Sequence, residues 1–178
     1  MSTSSVFLIV NLVGGFLVLG GYGFFLITNP ETSARLWGDI PEAWKAYFFA
    51  SMLIAAIGYI IFFVYVLVGG GLFVKPVYGL FNMQFITILV SVFLIMAALW
   101  MPLTISMLDD PGRPLGILIK IVLWGASLSS IGITLSLLTA HNINPGYHWL
   151  AVFGIGYLAF HCTILDAIIW VRYFTWHN

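Results

Sequence analysis

Three ionisable side chains, Lys120, His161 and Asp166, stand inside long apolar runs of a 178-residue chain that carries only six Lys/Arg and six Asp/Glu. An ionised group at the centre of a lone helix in lipid costs roughly 2.5 kcal/mol or more, so such residues point to function first in an apolar sequence. Lys120 lies a few residues inside one apolar run, and Asp166 a few residues before Arg172 at the end of another. At about 1.5 Å of rise per residue both sit roughly 9 Å deep. The shared depth predicts a structural Lys120–Asp166 ion pair. The alternatives are a snorkelling Lys120, a hydroxyl donor to Asp166, or a proton or ion relay through the pair.

His161 lies near the midplane, roughly 16 Å from the nearer boundary. A bis-histidine haem needs a second histidine facing it, whereas His141, His148 and His177 fall in a connection, at a helix mouth and at the C-terminus. His161 therefore reads as a hydrogen-bonded packing residue, with single axial ligation of a porphyrin or haem as the alternative. Cys162 is its neighbour in sequence, but adjacent residues on a helix point about 100° apart, which gives no nucleophile–base pair. A single cysteine forms no internal disulfide, and His, Cys and carboxylates do not cluster at zinc or calcium spacing. No catalytic residue and no metal ligand is assigned.

Aromatic residues carry the remaining signal. Trp37, Trp44, Trp149, Trp170 and Trp176 fall near run boundaries, where an interfacial belt is expected. Tyr59, Trp100 and Trp124 lie deeper and combine large faces with a polar donor, so they are candidates to line a flat apolar pocket; lipid-facing or core packing is the plainer use.

The elements that must position these groups follow from composition. The chain is 62% hydrophobic and 7% charged, which leaves too little polar surface for a soluble globule. Five apolar runs, at about 5–28, 46–68, 77–101, 115–139 and 149–172, each reach the length of about 20 residues that a helix needs to cross a bilayer. Long runs without polar alternation predict helices, because lipid leaves the backbone no other partner. The expected fold is an all-α integral membrane protein, a single-domain bundle of five transmembrane helices. No positive charge precedes the first run, which is longer than a signal-peptide core, so the first helix is expected to be retained.

Asn29-Pro30-Glu31 predicts a short interfacial helix from Pro30 to about Trp37, with Asn29 as its cap. Pro41 and Asn144-Pro145 open the second and fifth spans in similar fashion. Five spans put Arg35, Lys45, Arg113, Lys120 and Arg172 toward one side and Lys75 alone on the other, which predicts an outside N-terminus and a cytoplasmic C-terminus. Gly14 and Gly21 in the first span, and Gly125, Ser129, Gly132 and Ser136 in the fourth, are expected at helix contacts.

Several segments resemble one known family. Pro41-x-x-Trp44 followed by Ala56-Ile57-Gly58-Tyr59, Gly79-Leu80-Phe81-x-x-Gln84, and Leu158-Ala159-Phe160 with Thr163, Asp166, Trp170 and Arg172 are similar to helix entries of the tryptophan-rich sensory protein/translocator protein (TspO) family. The resemblance implies a cavity opening toward the Lys/Arg-rich side, closed by the first connection, that binds porphyrins, sterols or similar flat apolar molecules. On that reading Trp37 and Trp44 form the lid, Tyr59, Trp100 and Trp124 stack on the ligand, and His161 and Asp166 give polar contacts; Trp124 and His161 come from their own positions, not from family motifs. The competing expectation is an accessory or scaffold subunit of a larger respiratory or photosynthetic membrane complex, without chemistry of its own. A homodimer is compatible with either reading, lipid is the common partner, and nothing in the sequence points to nucleic acid.

Overall fold

The computed structural model describes residues 2–141, 143 and 145–176, with the side chain of Ser33 left aside. Among them stand five helices long and apolar enough to cross a membrane, α1 (Thr3–Thr28), α3 (Glu42–Val68), α4 (Met83–Asp109), α5 (Arg113–Leu138) and α6 (Pro145–Tyr173), and a short α2 (Pro30–Arg35). The fold is the expected all-α bundle. The capping role given to Asn144 lies outside the described residues.

Helix order around the bundle is α1, α4, α5, α6, α3, each packed on the next. The small residues of α5 serve that packing, since a Cβ on Gly125 or Gly132 would press on Met96 or Leu89 of α4. Gly14 likewise lets α1 approach Leu94, whereas a Cβ on Gly21 would meet nothing within 4 Å, so the expected pairing of Gly14 and Gly21 in one contact does not form. The closest approach is between α3 and α6, where a Cβ on either Gly58 or Gly154 would intrude on the carbonyl oxygen of the other. Absence of both side chains is what brings these two backbones together.

Two helix boundaries depart from expectation. The third span starts at Met83, not near residue 77, because residues 71–82 form a structured loop. Lys75 pairs with His141 through backbone hydrogen bonds, Val77 and Tyr78 take left-handed conformations, and the Asn82 side chain caps α4 by accepting from the Gln84 amide. The apolar residues of this loop imitate a helix in composition only. Asn29 does not cap α2 with its side chain; its Nδ2 turns back to the Phe25 carbonyl at 3.1 Å and so closes α1.

The first connection is anchored on the C-terminal end of α6. The Trp170 indole donates to the Leu36 carbonyl at 2.8 Å, the Asp39 amide donates to the Tyr173 carbonyl at 2.8 Å, and the Arg35 guanidinium donates to the Leu108 carbonyl at 2.9 Å. Trp170, expected in an interfacial belt, is therefore a buried core residue, 4% exposed.

Candidate functional site

Helix α6 changes character halfway down. From His161 to Trp170 it is π-helical, with α-helix on either side. π-turns are rare and are frequent at functional sites; their wider turn re-aims side chains. On an α-helix, residues five apart point about 140° away from each other; with i→i+5 bonding they come to lie one above the other. Consequently His161 Nε2 faces the Asp166 carboxylate at 3.6 Å.

The other face of His161 is held by α3. Its Nδ1 lies 2.9 Å from the Ser51 hydroxyl, which is itself 3.0 Å from the Tyr157 hydroxyl. His161 is 5% exposed and Ser51 7%, so their bond is sealed inside the bundle, while Tyr157 is half-buried. Two residues along α6, Thr163 bonds Ser127 of α5 at 2.6 Å. The packing role expected for His161 is observed, with Ser51 as partner.

Asp166 is differently placed: its side chain keeps 33% of its surface accessible, against 7% for His161. Tyr22 of α1 lies within electrostatic reach of Asp166 and of Cys162. The Tyr22 ring also packs against Trp100 at 5.7 Å between centroids, and Trp100 packs edge-to-face on Trp170 at 5.5 Å. The Trp100 indole nitrogen is buried without a hydrogen-bond partner. Neither the Tyr22 hydroxyl nor the Asp166 carboxyl hydrogen-bonds to another described residue. Three polar groups with unused hydrogen-bonding capacity thus gather in the third of the bundle nearest the Lys/Arg-rich end. Buried polar groups are ordinarily satisfied, so the unpartnered Trp100 N–H stands out among them.

The expected Lys120–Asp166 pair does not form. Lys120 is exposed and its ammonium sits 4.5 Å over the Trp176 ring. Its long stem carries the charge outward to the boundary, where an aromatic face replaces the carboxylate as partner.

The remaining candidates scatter. Trp37 packs edge-to-face on Phe48 beneath the first connection, and Trp44 lies at the rim, 41% exposed, against Tyr173. Tyr59 belongs to the opposite half, stacked on Phe93 and donating to Asn11 Oδ1 at 2.6 Å. Trp124 points away from the bundle, 42% exposed. Tyr59, Trp100 and Trp124 therefore do not converge on one slot; among the three, only Trp100 joins the His161–Asp166 region. Its neighbours Tyr22, Ser51 and Tyr157 escape the sequence reading. Of these, Ser51 alone leaves a trace, as a hydroxyl seven residues from Gly58 on the same helix face. A separate hollow of about 320 Å³, lined by Ala34, Arg35, Gly38, Leu108 and Thr175, opens beside the first connection.

No family model matches the chain, and no curated protein and no solved structure matches it either.

Proposed function

We propose that this protein is a membrane-embedded binder, acting as a sensor or carrier, of a flat apolar ligand of the porphyrin or sterol kind. The ligand's polar end is seated between Tyr22, Trp100 and Asp166. The observation that carries the reading is the orphaned Trp100 N–H, in ring contact with Tyr22, whose hydroxyl bonds no described residue, in the half of the bundle that also holds the accessible Asp166 carboxyl. Leaving such groups unpaired costs about 1–3 kcal/mol each, a cost that a ligand bearing complementary polar atoms removes. Trp100 and Tyr22 supply flat apolar walls, while His161, braced by Ser51, backs the carboxylate. The segments similar to the TspO family support the same reading. With the N-terminus outside, these groups lie toward the cytoplasmic leaflet, below the connection carrying Trp37 and Trp44.

Gentle detergent extraction followed by titration with protoporphyrin and with a fluorescent sterol, read by quenching of tryptophan fluorescence, tests this. The expected result is a particle of one or two chains with saturable quenching by at least one probe. Trp100→Phe should weaken that binding about tenfold, as loss of one buried hydrogen bond to the ligand implies. Recovery only within a large assembly, without saturable quenching by either probe, overturns the proposal in favour of an accessory subunit.

A further inference from the structure

The hollow beside the first connection lies at the level where the spans end. Its lining of Ala34, Arg35, Gly38, Leu108 and Thr175 joins α2, the last turn of α4 and the segment after α6 around about 320 Å³. That volume is within the range of small-ligand sites, about 300–1,000 Å³. Since α1 ends at Thr28, α4 at Asp109 and α3 starts at Glu42, the hollow sits at headgroup depth on the Lys/Arg-rich side.

Arg35 is the charged member of the lining. Its Nη2 donates to the Leu108 carbonyl at 2.9 Å, one of the last-turn carbonyls that α4 leaves without a helical partner. That bond holds the guanidinium at the wall and leaves most of its five N–H donors uncommitted. The ion pairs among the described residues are Lys45–Glu42 and His161–Asp166, so Arg35 has no carboxylate oxygen within 4 Å. Asp39, Asp109 and Asp110 stand on the adjoining segments but do not line the hollow. Thr175 adds a hydroxyl that bonds no other described residue. A held guanidinium with free donors beside a free hydroxyl suits a phosphate, whose oxygens accept in pairs from arginine. Phe24, Leu26 and Ile27, at the end of the helix that leads into α2, are exposed and give acyl chains a surface for which a free anion has no use.

We infer that this hollow binds the phosphate group of a phospholipid, with Arg35 and Thr175 as donors and the acyl chains along the end of α1. A headgroup held there ties α2 to the end of α4 and to the segment after α6. This site is separate from the one proposed around Trp100 and does not rest on it.

Native mass spectrometry of the detergent-purified full chain tests this, with dioleoylphosphatidylglycerol, dioleoylglycerol and glycerol 1-phosphate as probes. The phosphatidylglycerol is expected to stay bound as a single adduct, and dioleoylglycerol, which lacks the phosphate, is not. Arg35→Gln should weaken the phosphatidylglycerol adduct about tenfold, as loss of charge-assisted hydrogen bonds implies. Ala34→Leu, which fills the hollow but keeps the Arg35 side chain, should weaken it to a similar degree. Lys45→Gln removes a cation at the same end that does not line the hollow, and should leave the adduct unchanged. An adduct that survives both Arg35→Gln and Ala34→Leu, or that Lys45→Gln weakens equally, overturns the inference. So does dioleoylglycerol bound as tightly as the phosphatidylglycerol. Displacement of the lipid by an equal concentration of glycerol 1-phosphate overturns the lipid as occupant in favour of a free phosphate compound.

Discussion

Helices α3 and α6 cross at Gly58 and Gly154, and a histidine of α6 meets a hydroxyl of α3 on each side of that crossing. On one side Tyr65 lies seven residues beyond Gly58, and its hydroxyl bonds His148 Nδ1 at 2.8 Å while His148 Nε2 reaches the Leu137 carbonyl at 3.1 Å. On the other side Ser51, seven residues before Gly58, bonds His161 Nδ1, but His161 Nε2 has only the Asp166 oxygen at 3.6 Å. His148 is thus fully bonded and 1% exposed. Its counterpart His161 opens onto an accessible carboxylate. Two pairings of similar plan are used differently, one to close the bundle and one to leave unsatisfied capacity where the π-helix begins.

The contrast depends on the shared crossing, so the largest effect should come from filling it. Gly154→Val would drive a side chain into the Gly58 carbonyl, where backbone offers no flexible escape. A loss of about 3 kcal/mol or more is expected in reversible unfolding by denaturing detergent, and both hydrogen-bonded pairs should fail together. The next effect separates the two sides. His148→Ala should cost about 2 kcal/mol, from the cavity and from leaving the Tyr65 hydroxyl and the Leu137 carbonyl unpaired. His161→Ala should cost less in the same assay, about 1 kcal/mol, yet abolish the ligand-induced quenching that His148→Ala leaves intact in the folded fraction. Equal stability costs, or quenching lost in both variants, would remove the distinction. Smallest of all, Trp124→Ala faces lipid and should change stability by no more than about 0.5 kcal/mol without altering quenching.

Legibility in the sequence followed the range of the physics involved. Depth along a helix is a count of residues, so His161 near the midplane and Asp166 closer to one end were readable. Direction around the helix was not. Trp124 and Trp100 are similar in type and similarly embedded in apolar runs, yet one faces outward and the other packs on Tyr22 and Trp170. Neither run has a polar stripe to orient it, since lipid and protein interior are equally apolar. Lys120 and Asp166 share a depth, but the flexible lysine stem found an aromatic face at the boundary before a partner in the interior. The third span began later than its apolar run because a loop held by Lys75 and His141 carries apolar residues as well.

What the sequence determined by itself is the five-helix membrane architecture and the end at which its cations gather. Length, hydropathy and charge are sums over local residues, and lipid leaves an apolar backbone no choice but helix. Only the tertiary structure decided that α3 and α6 meet at Gly58 and Gly154, and that α6 widens into a π-helix below that point. That widening turns two residues five apart into neighbours, and with them it sets Asp166 beside His161, within reach of Tyr22. The reason is geometric: helical pitch and interhelical distance are settled by packing among distant segments, and spacing along one chain does not contain them.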